Sequence, residues 1–244
     1  TPDVSPAGGV TAYQGDFSTS LERIKSVGYD GAELMVANPG SLDKKYLKQI
    51  LNDYSLPVPM VCTGEIFGQD GLYFTAPRVE QRAAAIQRVK DAVDLAVFLG
   101  TKYVNIGRVR GGFSYGGDHE QERTWSLDGL RDVSRYADER DVIIALEPVN
   151  SIAATFINST QDGLEILKEL NEPALKLMLD SNHMFLDDRD ELSSISDAIT
   201  EVVYVHLADS NRLYPGRGKL DFFAFIETLS KHGYNGWLSV EVFQ

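Results

Sequence analysis

Short, nearly unbroken apolar runs alternate with helical patterns along the whole chain. Residues 17–28 (FSTSLERIKSVG) put Leu21, Ile24 and Val27 on one face and stop at Gly28, a left-handed C-terminal cap. The strand-like YDGAELMV follows. The same alternation continues through helix 41–55, VPMVC, helix 78–100, KYVNIG, a Gly-rich loop, helix 122–140 and VIIAL. It then runs through helix 160–170, LKLML, helix 190–199, VVYVHL, helix 220–233 and WLSVEVF. Strands this rich in Val, Ile and Leu suit a parallel sheet covered on both faces. Strands that alternate with helices imply right-handed βαβ units.

Seven strands are clear, and the opening TPDVS is a possible eighth. VGYDGAEL at 27–34 and HGYNGWLS at 232–239 echo one another, each placing Gly-Tyr-Asp/Asn-Gly between helix end and strand start. Eight βα units in a chain of 244 residues give an α/β fold of the (β/α)8 TIM-barrel type, as a single domain over 1–244. A doubly wound sheet would carry a Gly-x-Gly-x-x-Gly turn after its first strand, and SPAGGV does not match it. No helical pattern follows the last strand, where a barrel expects a final helix. A longer natural chain, or another subunit in a homo-oligomer, is expected to cover that face.

Composition narrows the partners. A formal net charge of −13 repels nucleic acid and anionic membranes. No run approaches the roughly 18 apolar residues of a membrane span, and no signal peptide is visible. The single cysteine, Cys62, excludes an internal disulfide and agrees with a reducing, cytoplasmic setting. It reads as barrel packing rather than as a nucleophile.

Four consecutive strands share a second feature. VIIALEPVN ends its apolar run in Glu147, ALKLMLDSNHM in Asp180, EVVYVHLADSN in His206 and WLSVEVF in Glu241. The gaps between them are 33, 26 and 35 residues, about one βα unit each. In a barrel, the C-terminal ends of the strands share one rim, so these four would converge there. An unpaired buried carboxylate is costly, and pairing, protonation or a metal removes the cost. Two Glu, one Asp and one His form a hard, oxygen-rich set with one nitrogen. It suits one divalent ion, Mn²⁺ first, with Mg²⁺, Co²⁺ or Zn²⁺ as alternatives. Each residue alone would more often be a loop carboxylate or a core histidine.

These stretches resemble the sugar phosphate isomerase/epimerase family of xylose isomerase-like barrels, most of all its ketose 3-epimerase branch. The similarity rests on LEPVN, LDSNHM, HLADSNRLYPGRG and SVEVF, with GYDGAEL and DLAVFLGTKYVNIG in support. It implies Glu147, Asp180, His206 and Glu241 as metal ligands and Glu147 and Glu241 as a proton-transfer pair. Epimerisation beside a carbonyl removes a proton from one face of a carbon and returns one to the other, so two tuned bases are needed. A metal that chelates the carbonyl and the neighbouring hydroxyl would stabilise the enediolate. The substrate would be a sugar or sugar phosphate. His183 would hydrogen-bond a substrate oxygen, and Arg212 would meet hydroxyl or phosphate oxygens. Gly216 and Gly218 would let the loop pass close to the substrate.

Further candidates are weaker. Glu65 follows the third strand, with Phe67 beside it. Arg108 opens the Gly-rich stretch GRVRGGFSYGGD, a candidate lid or phosphate grip. Glu33 is a carboxylate inside an apolar strand, at the pocket floor or paired with a neighbouring strand. Phe222, Phe223 and Phe225 read as core or interface. In ketose 3-epimerases the Glu-Pro-x-Asn segment continues with Arg, an aromatic and a Glu that touches the sugar. Here it continues Ser151, Ile152, Ala153, which removes one polar contact to substrate. Three rivals share the barrel. An inosose dehydratase-type lyase would abstract the same proton and lose water. A non-catalytic relative would bind sugar without turnover. An endonuclease IV-type phosphodiesterase would need more histidines than His119, His183, His206 and His232.

Overall fold

The computed structural model describes residues 1–6 and 9–243. Seven parallel strands form one sheet in sequential order: β1 (Leu34–Met35), β2 (Met60–Cys62), β3 (Tyr103–Ile106), β4 (Ile143–Leu146), β5 (Leu175–Asp180), β6 (Val202–Leu207) and β7 (Leu238–Val240). The helices are α1 (Phe17–Ser26), α2 (Lys44–Asp53), α3 (Gly64–Gly68), α4 (Val79–Leu99), α5 (His119–Asp138), α6 (Thr160–Leu170), α7 (Ser181–Asp187), α8 (Glu191–Ala198) and α9 (Phe222–Lys231). The sequence reading missed the short helices α3 and α7, which occupy stretches after β2 and β5 too brief to show a helical period.

Local chemistry sets the boundaries. Asp16 caps α1 by accepting from Thr19 N at 2.7 Å. Ser159 and Asp162 form a reciprocal capping box on α6. Gly100, at φ +80°, ends α4 in the left-handed conformation that costs glycine least.

Period-2 alternation sorts the strand residues into two layers. Val61, Val104, Ile144, Leu177, Leu179 and Val205 join the main core with the helices. Met60, Ala145, Met178 and Tyr204 pack together on the opposite face, with Tyr103 and Trp237 against them. That inner layer positions the site. Two residues beyond Tyr103, Ala145, Met178 and Tyr204 on the same strand face come Asn105, Glu147, Asp180 and His206. The register pairs Asp180 with His206 and His206 with Ser239, and Glu241 lies two residues beyond Ser239.

The expected eighth strand is not formed: residues 1–6 contain no strand. Pro2 and Pro6 lack the N–H groups a ladder needs. Asp3 instead accepts from Ala37 N and Asn38 N, at 3.1 and 2.6 Å. Val4 and Val10 pack on Met35, Ala37 and Cys62, which places Cys62 in packing as expected. Among the described residues β1 and β7 are not paired. The sheet nevertheless curls until its two edges face each other across a cavity of about 580 Å³, lined by Tyr13, Phe17, Tyr29, Glu33, Trp237 and Glu241 among others. No described helix is long and apolar enough to cross a membrane.

Candidate metal centre

One oxygen or nitrogen from each of Glu147, Asp180, His206 and Glu241 lies within 4.8 Å of the others. His206 Nδ1 sits 3.3 Å from Glu147 Oε1, 3.2 Å from Glu241 Oε2 and 3.8 Å from Asp180 Oδ2. Four strands therefore deliver their terminal side chains to one point, as the spacing predicts. Asp180 and His206 are almost fully buried, and Glu147 is 6 % exposed.

The carboxylates of this cluster are oriented by neighbours of their own, and two of them share Arg212. Glu147 Oε2 accepts from Asn105 Nδ2 at 2.9 Å. Asn105 is itself locked, because its Oδ1 accepts from Thr63 N at 3.0 Å and its carbonyl from Thr63 Oγ1 at 2.7 Å. Glu241 Oε1 accepts from Thr11 Oγ1 at 2.8 Å. Asp180 Oδ1 accepts from Asn182 N and His183 N, at 2.8 and 3.1 Å, so the strand's last residue also caps α7. Its Oδ2 accepts from Arg212 Nη1 at 2.6 Å, and Arg212 Nη2 donates to Glu241 Oε2.

Electrostatics follow from this packing. Burial penalises the charged forms of Asp180 and Glu241. Arg212 with His183 and His206 outweighs that penalty at Asp180, and Arg212 with His206 and the Thr11 hydroxyl does so at Glu241, so both carboxyls lie below the usual carboxylate range. Burial likewise opposes a charged His206, and Glu33 and Glu241 overcome it, so the imidazole is held well above its ordinary value. Arg212 in turn stays charged, because Asp180 and Glu241 offset its own burial.

Two buried polar atoms have no hydrogen-bond partner at this point: Glu147 Oε1 and His206 Nδ1. Buried polar atoms are nearly always satisfied. The three carboxylates of Glu147, Asp180 and Glu241 outnumber the one guanidinium beside them, so the point carries negative charge that a cation would neutralise. The donor set and the two orphaned atoms fit such an ion, with oxygen and imidazole ligands that Mn²⁺, Mg²⁺, Co²⁺ and Zn²⁺ all accept.

The remaining sequence candidates fall into four places. Arg212 lies on the centre, in a loop that departs from β6. Its φ of +62° is uncommon for a residue with a side chain. Asp209 holds that loop together by accepting from Ser210 N at 2.7 Å, Gly216 N at 2.9 Å and Leu220 N at 3.2 Å. Gly218 packs closely on Asp209 and Ser210, whose side chains a Cβ there would meet. Glu33 reaches the opposite edge of the His206 ring, and Tyr204 Oη donates to it at 3.1 Å. Glu65 and Arg108 form a separate pair 3.8 Å apart, with the Arg108 guanidinium over the Phe67 ring. Burial raises the Glu65 carboxyl, Arg108 lowers it, and the Glu241 charge adds to the rise. His183 is half-buried, and its Nδ1 lies 2.7 Å from Asn150 Nδ2. Sequence reasoning missed Asn105, Thr63, Thr11, Asn150 and Asp209.

The segment 151–153 is polar-poor, as read from the sequence. Ile152 is 83 % exposed and Ser151 N donates to Asp187 Oδ2 at 2.7 Å. The Gly-rich stretch is braced rather than loose. Thr75 Oγ1 donates to Gly112 O, Thr155 Oγ1 to Phe113 O, and the Phe113 ring stacks on His119. Arg110 within it is wholly buried, donates to Phe156 O and Ile157 O, and is lowered by that burial to about 10.

Comparisons with known proteins agree with this arrangement. A family model described as "Xylose isomerase-like TIM barrel" matches residues 21–244. An L-ribulose 3-epimerase from Methylomonas sp. (strain DH-1) is 26 % identical, over 97 % of this chain and 83 % of its own length. A ketose 3-epimerase from Arthrobacter globiformis is 27 % identical over 92 % and 76 %. A 3-dehydro-D-guloside 4-epimerase from Escherichia coli (strain K12) is 25 % identical over 89 % and 84 %. Among solved structures, a D-allulose 3-epimerase from Methylomonas sp. in complex with D-allulose superposes with a TM-score of 0.82 at 25 % identity, over 93 % of this chain and 78 % of that one.

Proposed function

The chain belongs to the xylose isomerase-like TIM-barrel family, and on that premise we propose that it is a metal-dependent sugar epimerase or isomerase. It would move a proton at the carbon beside a ketose carbonyl. The observation that carries this reading is the convergence of Glu147, Asp180, His206 and Glu241 around two orphaned buried atoms. The similarity to several sugar epimerases supports it.

The four residues would hold one divalent ion, Mn²⁺ in the first instance. That ion would supply a Lewis acid that polarises the substrate's carbonyl. The chain's own groups would do the rest. Glu147 and Glu241 reach the centre from β4 and from beyond β7, so a sugar between them would present opposite faces of one carbon. One glutamate, ionised, would take the proton and the electron pair left on carbon would pass into the carbonyl. The other glutamate, starting as the protonated acid, would give its proton to the opposite face as the pair returns to carbon, so the two groups end with their protonation states exchanged. Arg212 would bind a substrate oxygen as well as brace Asp180 and Glu241, and His183 would donate to a second oxygen. Glu65 and Arg108 would contact the distal end of the sugar.

The departure at 151–153 bears on the substrate. Exposed Ile152 and Ala153 leave no acid where ketose 3-epimerases place one. The preferred substrate is therefore expected to differ from a plain ketohexose, with ketose phosphates and 3-ketoglycosides as the alternatives to a different ketose. The test is conversion, with product separation, across free ketoses, ketose phosphates and 3-ketoglycosides in the presence of Mn²⁺. An epimer as product supports the reading. Loss of water from the substrate would assign the chain to the dehydratase class. Binding without turnover would make it a sugar-binding relative.

A further inference from the structure

Glu33 has no part in the ligand set, yet it is the most intimate neighbour of the ligand histidine. Its two carboxylate oxygens lie 3.1 and 3.0 Å from His206 Nε2, and Tyr204 Oη donates to Oε2 at 3.1 Å. The Tyr204 and His206 rings meet edge to face, with centroids 5.7 Å apart. Glu33 immediately precedes β1, the first edge of the sheet, while His206 is the penultimate residue of β6, next to the last strand. Closing the curled sheet thus makes a contact across 173 residues of chain.

We infer that Glu33 is the positioning residue for the metal-binding nitrogen of His206, and not a substrate contact. An ionised carboxylate can only accept, so Nε2 must carry the proton that bridges to it. That fixes the ring and leaves Nδ1, the orphaned atom, as the ligand. Tyr204 completes the chain by holding the Glu33 carboxylate in the ring plane's reach. Ligand histidines commonly donate their second nitrogen in this way, and loss of the partner typically costs 10- to 100-fold in metal affinity. Glu33 also lines the cavity between the sheet edges, as Glu241 does. A substrate role would need its oxygens turned toward that cavity, whereas both oxygens are committed to His206 or to Tyr204.

The inference rests on the reading of the four residues as a metal centre, and one set of measurements separates the two. Metal-stripped protein is titrated with Co²⁺ by calorimetry and visible absorption, for the wild type, Glu33→Gln, Glu33→Ala and Tyr204→Phe. One equivalent bound by the wild type is expected. Glu33→Ala is expected to lose about 10- to 100-fold in affinity with an altered absorption band. Glu33→Gln, which keeps an acceptor oxygen but no charge, should fall between, and Tyr204→Phe should lose least. ¹⁵N NMR of the Zn²⁺-loaded wild type should show a slowly exchanging Nε2–H on His206. Wild-type affinity in a folded Glu33→Ala would overturn the inference alone, as would an Nδ1–H on that ring. Failure of the wild type to bind metal would overturn the centre itself.

Discussion

Arg212 Nη1 lies 2.6 Å from Asp180 Oδ2, while its other terminal nitrogen donates to Glu241. One cation from a loop thereby joins the ends of β5 and β7. The two carboxyls are below their ordinary values of 3.8 and 4.5 despite their burial. A carboxyl with a depressed folded-state pKa contributes stability that is present above the unfolded value and lost as pH falls through the folded one. Chelator-treated wild type should therefore lose stability as pH drops below about 4.5, progressively toward strong acid. In Arg212→Met the same carboxyls lose their counter-charge and titrate upward. Its stability deficit should shrink on acidification, because protonation relieves buried charge. Urea unfolding between pH 3 and 7 gives both slopes.

Gly107 lies close beneath the other glutamate. A Cβ added there would stand 2.8 Å from Glu147 Oε2. The added methyl would press on the carboxylate itself. Gly107→Ala should move the Glu147 carboxylate off Asn105 and weaken both metal binding and turnover by at least tenfold, with a thermal melt of the same sample to confirm that it folds. Calorimetric metal titration and a steady-state assay would show the split. A variant with native affinity and turnover would remove Glu147 from the centre.

Asn105 is 1 % exposed and serves Glu147 and Thr63 at once. Asn105→Leu leaves both the carboxylate oxygen and the Thr63 N–H unpaired, and each unpaired buried group costs about 1–3 kcal/mol. A loss of at least 2 kcal/mol by denaturant unfolding is expected. Asn105→Ser, small and polar, should recover part of it by admitting water.

Replacing either proposed proton-transfer residue should be severe. Glu147→Gln and Glu241→Gln each remove a general base, a change commonly of 10²- to 10⁴-fold in rate. Because each would also contribute a ligand, metal occupancy must be measured on the same samples. Activity lost at full occupancy assigns the proton; activity restored by saturating metal assigns ligation only.

Much of this was legible in the residues, for physical reasons. An apolar run buried on both faces announces a parallel strand, and a polar residue at its end announces a rim, so Glu147, Asp180, His206 and Glu241 could be grouped before their distances were known. Helix caps such as Asp16, Ser159 and Gly100 are local chemistry and equally readable. The partners were not. Glu33 meets His206 across 173 residues, Thr11 meets Glu241 across 230, and Asn105 meets Glu147 across 42. No period or spacing encodes such contacts; they arise only when the sheet curls. Glu33 shows the limit well. Its unusual place in an apolar strand was visible, but whether it faced the substrate or a histidine depended on the far edge of the sheet. The opening TPDVS misled because its apolar and small residues fit an edge strand. Pro2 within it, Pro6 just after it and the Asp3 carboxylate, which accepts from Ala37 N and Asn38 N, send it across loop N–H groups instead.

The most direct measurement is proton NMR of the Mg²⁺- or Zn²⁺-loaded protein in D₂O with the substrate that the conversion panel identifies. Deuterium should enter at the carbon beside the carbonyl, and the exchange should stop with chelator and in Glu241→Gln. Full turnover with no solvent deuterium in substrate or product, or exchange that persists without metal, would contradict a two-carboxylate proton transfer at this centre.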